Sequence, residues 1–370
     1  MAFENPYAHV SDYQKWRRAV SLCESARIDP IVAPKFAIAN DMKVATAGSC
    51  FAQHIARQIS ELGFNYFCPE GGEGLSEEER KRDQYGVFSA RYGNLYTVHQ
   101  LRQLFREAVH GDAKAHIVLE RSDGMFVDAF RPNVSPEGFE TAEQVHAARE
   151  KHLAQVHRVF SEADVFVFTL GLTEAWREVK SGHVLPLAPG VVGSPVDDTS
   201  YEFYNFDVDE IRSELERFVV EFFELNPEAK ILLTVSPVPL IATYEDRHVI
   251  VSTTYSKSVL RVAVEGVASR HANVDYFPSY EIITSSATSD RYYEDDRREV
   301  SKLGVAHAMR CFVDAYTSGR MTSAHPNGLM EGGQSQYESM ASVICDEEEI
   351  DQPRPAPNRV RLENDLIGDT

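Results

Sequence analysis

Apolar residues are distributed along this chain in two alternating patterns. Short, nearly unbroken apolar runs occupy positions 43–47, 164–170, 230–235 and 274–277. Runs that are apolar on both faces are how buried strands of a parallel sheet read. Between them apolar positions recur every three to four residues, the period of one helix face. Phe51, Ile55, Ile59 and Leu62 form one such stripe, and Leu101, Leu104, Phe105 and Ala108 a second, with Thr97 placed to cap it. Val145, Leu153, Val156 and Phe160 mark a long helix over 142–162, and further helices are expected over 207–225, 255–269 and 300–316. Strands separated by helices predict βαβ crossovers and an α/β fold.

The remaining segments carry other signals. Positions 116–130 alternate weakly around Ser122-Asp123-Gly124, a hairpin pattern. Positions 69–82 are rich in Gly and Glu and read as a surface loop or lid, and 186–195 as a Pro/Gly-rich loop. Residues 1–40 read as an arm that wraps the domain, with Tyr13, Trp16 and Val20 set to pack along a short helix. From Ser318 onward Gly, Ser, Pro and acidic residues dominate, including the run Asp346-Glu347-Glu348-Glu349. That composition predicts a disordered tail, either passive or a docking segment for a protein partner. The expected division is an arm over 1–40, an α/β domain over 41–316 and an acidic tail over 317–370.

Composition narrows the function. The 370 residues are 43 % hydrophobic, enough for a sizeable core, and carry a formal charge of −20. Phosphate backbones demand a basic surface, so neither nucleic acid nor anionic membrane is an expected partner. No apolar run approaches the length of a membrane helix. Five cysteines at irregular spacing, and no continuous apolar leader within 1–40, predict reduced thiols in a cytoplasmic protein. Neither a phosphate-cradling glycine loop nor a metal-ligand spacing stands out, so no nucleotide or metal cofactor is expected.

The chemistry concentrates at Gly48-Ser49-Cys50, a turn from the first strand into the first helix. Gly48 permits a tight backbone there. The first helix amides and the helix dipole favour negative charge, so a thiol at this place is acidified and an oxyanion finds donors. Cys50 is the first candidate nucleophile, or else a packed thiol; Ser49 is the competing nucleophile, or else a helix cap. Thr173, Ser236, Ser279 and Glu281 also follow strands, and ligands of open α/β sheets sit at that carboxyl edge.

The string Gly48-Ser49-Cys50-Phe51-Ala52 spells the signature of the GSCFA family, which is grouped with the SGNH/GDSL-like hydrolases. The resemblance also takes in Asn5-Pro6-Tyr7, Asp29-Pro30, Pro34-Lys35-Phe36 and Tyr92-Gly93-Asn94-Leu95-Tyr96-Thr97. It continues through the stretch from Phe168 to Trp176, through Leu233-Thr234-Val235-Ser236-Pro237-Val238-Pro239 and through Tyr276-Phe277-Pro278-Ser279-Tyr280-Glu281, and so covers about the first 316 residues. It implies a three-layer αβα sandwich with a central, mainly parallel sheet. It also implies an esterase-like or acyltransferase activity on an acyl substrate, such as an acylated carbohydrate.

SGNH enzymes build their oxyanion hole from a Gly and an Asn beyond the first helix, which Gly93 and Asn94 resemble in composition. A second Asn comes from a Gly-x-Asn-Asp block. Here Gly171 keeps the glycine, Thr173 stands for the Asn and Glu174 for the Asp. The group also carries Asp-x-x-His before its last helix. The corresponding stretch is Asp296-Arg297-Arg298-Glu299, so Glu299 stands where the histidine belongs. Three readings follow from that departure. Another histidine serves Cys50, with His248 preferred for its loop position over His54 and His307. Or Glu299 is itself the acid or base, or binds a cationic group. Or catalysis is lost and the site binds a sugar or acyl ligand. A carbohydrate-modifying transferase acting through Glu174, Asp296 and Glu299, with Cys50 only structural, is a further reading.

Overall fold

The computed structural model describes residues 5–111, 117–196, 200–288, 291–317 and 346–350. The chain begins with β1 (Val44–Gly48), α1 (Ala52–Glu61), α2 (Glu77–Arg82) and α3 (Val98–His110). There follow β2 (Val118–Glu120), β3 (Phe126–Asp128), α4 (Ala142–Glu162), β4 (Val165–Leu170), β5 (Glu174–Glu178), β6 (Val184–Leu185), β7 (Ser194–Pro195) and β8 (Tyr201–Asn205). The last elements of the domain are α5 (Val208–Leu225), β9 (Lys230–Val235), α6 (Val249–Ala268), β10 (Val274–Tyr276), α7 (Ser279–Thr284) and α8 (Lys302–Tyr316).

The central sheet has the order β1-β4-β9-β10, and every pair in it is parallel. Side chains of a strand alternate between faces, and β4 shows the consequence. Val165 and Val167 enter one core, with Phe51, Ile55 and Ile59 of α1 and Met309 and Phe312 of α8. Phe166, Phe168 and Leu170 enter the other, with Leu101 and Phe105 of α3, Phe160 of α4, Phe218 and Phe222 of α5 and Leu260 and Val264 of α6. Both faces are therefore covered by helices, and the fold is the expected three-layer αβα sandwich. Two small antiparallel sheets, β3-β2-β7 and β6-β5-β8, project from it. The first contains the hairpin expected around Gly124, although His116 lies outside the described residues.

Three segments differ from expectation. Tyr13 and Trp16 of the arm are 57 % and 65 % exposed rather than packed. The arm is held further along, where the Lys35 ammonium donates to the carbonyls of Ala268 at the end of α6, His271 and Val274, and the Ile38 amide donates to Tyr316 O at 2.6 Å. Helix α6 starts at Val249, six residues before the expected Tyr255, because His248 caps it. In the acidic run, Asp346–Ile350 forms a 3-10 turn in which Asp346 and Glu347 are buried. The rest of the tail, with Cys345, lies outside the described residues.

Candidate active site

The site forms where β1 hands over to α1. Gly48 has φ +130°, a conformation that L side chains resist, and it lies against the backbone of Thr169 in β4. The Ser49 amide donates to Thr169 O at 3.0 Å, and the Ala52 amide donates back to Ser49 O at 2.9 Å as the helix begins. The segment 92–96 is laid over this turn. The Tyr92 hydroxyl donates to Thr46 O, and the Leu95 amide donates to Gly48 O at 2.9 Å. Tyr96 O accepts from the amides of Gly171 and Leu172 at 2.8 and 3.2 Å, which draws the end of β4 to the same place.

These ties leave a small cavity of about 10 Å³, room for about one water molecule. Ser49 and Cys50 line it from the turn, and Tyr96 and Gly171 from the two tied segments. Ser236 after β9, Lys257 of α6 and Glu347 of the acidic turn complete the polar lining. Ser49 and Cys50 are each only 3 % exposed. The Ser49 hydroxyl has no hydrogen-bond partner among the described residues. The Lys257 ammonium is buried and donates to Gly171 O. The ten-residue α1 directs its positive end toward this cavity.

Gly48, Ser49, Cys50 and Gly171 are thus brought together. Gly93 and Asn94 lie beside them, but Asn94 is occupied. Its side-chain amide donates to Asp346 Oδ2 at 2.9 Å and its backbone amide at 3.3 Å. Gly93, at φ +69° in the left-handed region, lies beside the same carboxylate.

Other expected site residues are held elsewhere. Thr173 does not offer its hydroxyl to an oxyanion: Oγ1 donates to Asn205 Oδ1 at 2.7 Å, and it is absent from the cavity lining. Glu174 opens a strand, and its carboxylate anchors the 243–244 loop by accepting from the Thr243 hydroxyl at 2.6 Å and the Tyr244 amide at 3.2 Å. His248 is exposed, and its Nδ1 accepts from the Ile250 amide at 3.2 Å as a helix cap. Asp296 is exposed and closes a turn by accepting from the Arg298 and Glu299 amides. Glu299 is exposed too; its carboxyl is raised by partial burial and by the neighbouring acids Asp296, Glu294 and Glu348. The His54 ring packs against Phe51. His307 pairs with Tyr292 and with Ile28 O. Among the described residues, no histidine lines the cavity.

The structure adds residues that the sequence reading passed over. Lys257 lies three and seven positions before Leu260 and Val264, so a lysine in an apolar stripe was the available signal. Arg298 donates to Pro239 O at 3.2 Å and pairs with Glu347 at 2.9 Å. Asp346 and Glu347 gave no local signal, since solvated acidic runs look the same. No group of acidic, Cys or His residues able to hold a metal ion occurs among the described residues. No described helix is long and apolar enough to cross a membrane.

Fold and site together define an α/β protein with a hydroxyl and a thiol side by side at the carboxyl edge of a parallel sheet. The chain belongs to the GSCFA family, whose match spans residues 43–312. No curated protein matches it closely enough to count as a relative. Among solved structures, it is similar to a carbohydrate esterase family 3 protein from Talaromyces cellulolyticus at 12 % identity and TM-score 0.32, over 73 % of this chain and 94 % of that one. It is also similar to a variant of Axe2, an acetyl-xylooligosaccharide esterase from Geobacillus Stearmophilus, at 13 % identity and TM-score 0.31, over 77 % and 100 % of the two chains. A third likeness, to a carbohydrate esterase family 2 enzyme with a carbohydrate binding domain from Corynascus thermopiles (Myceliophthora fergusii), has 15 % identity and TM-score 0.23. It covers 41 % of this chain and only 36 % of that one. Likenesses this weak do not bear on the site.

Proposed function

We propose that this protein transfers acyl groups, as an ester hydrolase or an acyltransferase, through a covalent intermediate at the Ser49-Cys50 turn. The observation that carries the reading is one shared cavity: Ser49, Cys50 and Lys257 line it together, at the positive end of α1. In this reading Cys50 attacks the acyl carbonyl as thiolate, and the alkoxide leaves and takes a proton from the Lys257 ammonium or solvent. Water or a second alcohol then attacks the thioester and expels the Cys50 thiolate. The Lys257 cation and the helix start favour negative charge on the sulfur and then on the carbonyl oxygen. Both contributions hold without an imidazole, which answers the missing histidine at position 299. Ser49 is the alternative nucleophile, with Lys257 as its base in a Ser-Lys arrangement. The alcohol is assigned to a carbohydrate on the family resemblance, and the compartment to the cytoplasm, where an exposed thiol such as Cys23 stays reduced.

A second reading keeps the fold and discards the reaction. It is favoured by the absence of histidine, among the described residues, from the cavity lining and by Glu347 standing in that lining. The two readings separate on one measurement, the pH dependence of Cys50 alkylation by iodoacetamide, mapped by peptide mass spectrometry. Selective labelling well below the ordinary thiol range of about 8.5 supports the enzyme. In parallel, Cys50→Ala should lower turnover of p-nitrophenyl acetate at least ~100-fold, the usual order for a lost nucleophile. A Cys50 that reacts only after unfolding, with full turnover in Cys50→Ala, Cys50→Ser and Ser49→Ala, overturns the covalent mechanism.

A further inference from the structure

The acidic turn Asp346–Ile350 is seated at the candidate site through its carboxylates. Asp346 Oδ2 accepts from the Asn94 backbone and side-chain amides, and Oδ1 accepts from Asn133 Nδ2 at 3.0 Å. Glu347 Oε2 accepts from Arg298 Nη2 at 2.9 Å, and its side chain shares the cavity of Ser49 and Cys50. Two adjacent acids thus meet two distinct receptors: an amide cradle and a guanidinium.

The turn does not have the composition of a permanent structural part. Its one apolar residue, Ile350, is 43 % exposed, so apolar burial contributes little to holding it. Among the described residues, what holds it is polar. The donors bonded to Asp346 are neutral amides, and burial raises its carboxyl above the ordinary range. A carboxylate buried without a cation is costly. The turn is therefore held by groups that are better suited to receiving an acid than to packing a chain end.

We propose that Asn94, Asn133 and Arg298 form a carboxylate-recognition subsite for an anionic substrate, and that Asp346 and Glu347 occupy it as an intramolecular stand-in. This rests on the acyl-transfer reading for the identity of the reacting group, but not for binding. The substrate class is an ester whose acyl or alcohol part carries one or two carboxylates. The acidic turn then competes with it: substrate enters as the turn leaves. Arg298 supplies bidentate-capable recognition of one carboxylate, and the Asn94-Asn133 cradle supplies the donors for another oxygen pair.

The test uses the full chain and glutarate as the probe, with binding followed by isothermal titration calorimetry. Asp346→Ala/Glu347→Ala should bind glutarate at least tenfold more tightly than the unaltered protein, and adding Arg298→Ala should reverse the gain. Glu347→Gln alone should give a smaller gain in the same direction, and it keeps side-chain size if the double variant does not fold. Equal glutarate binding with and without the acidic pair, or a gain that survives Arg298→Ala, overturns the proposal. Binding here does not need Cys50 or Ser49, so a failed subsite and a failed covalent mechanism give different results.

Discussion

Replacing Gly48 by alanine should destabilise the whole domain and displace the Ser49-Cys50 turn. A β-carbon on Gly48 would lie 2.3 Å from Thr169 O, 2.6 Å from Thr169 N and 2.9 Å from Thr169 C. All three atoms belong to the backbone of β4, which is paired with β1 on one side and β9 on the other, so they cannot swing away like a flexible side chain. Forcing a methyl into such packing costs about 1–3 kcal/mol. Holding a non-glycine residue at φ +130° adds roughly 1–3 kcal/mol of backbone strain. The sum, about 2–6 kcal/mol, is a large share of the roughly 5–15 kcal/mol that holds a typical domain. Urea unfolding, followed by far-ultraviolet circular dichroism and by tryptophan fluorescence, reads the loss. Iodoacetamide labelling of Cys50 in the surviving folded fraction reads the turn. A Gly48→Ala protein within about 0.5 kcal/mol of the parent, with unchanged Cys50 labelling, would refute the claim that close approach to Thr169 requires glycine.

Acid should weaken the fold before its carboxylates titrate. Burial holds His54, His99 and His152 at about 4, against an ordinary 6.5. The unfolded chain takes up these protons near 6.5 and the folded chain does not, so the stability they contribute is present above that pH and lost as pH falls from 6.5 toward 4. Each contributes up to about 1.4 kcal/mol per pH unit in that window; a urea midpoint that is flat between pH 7 and pH 5 would contradict this. Lys257→Met should move the pH profile of Cys50 alkylation upward and lower turnover by ~10–100-fold, whereas an unchanged profile would leave Lys257 a structural lysine. Thr173→Val should cost stability through the lost bond to Asn205 by about 1–2 kcal/mol, measured by urea unfolding, yet spare turnover in the folded protein; a selective loss of turnover would restore Thr173 as an oxyanion donor.

By itself the sequence determined most of the long, regular elements, through short-range periodicity. The apolar stripe and flanking caps placed helices at 142–162 and 302–316 almost to the residue, and the two-faced runs at 165–170 and 230–235 gave buried parallel strands. The strand-to-helix turn put Gly48, Ser49 and Cys50 forward as the candidate site, because a glycine, a helix start and polar side chains coincide in three adjacent letters. Roles that depend on which distant group arrives were not legible. Thr173 meets a partner 32 residues away, Lys257 one 86 away, and Asn94 one 252 away. His248 looked like a free loop imidazole until α6 was seen to begin at the next residue. The acidic run read as solvated because charge and polarity say only that burial is costly. Whether that cost is met depends on Asn94, Asn133 and Arg298, and only the tertiary structure assembles them around Asp346 and Glu347. Hydrogen bonds and ion pairs act over a few ångströms in space, at any separation along the chain, and a linear pattern carries no record of them.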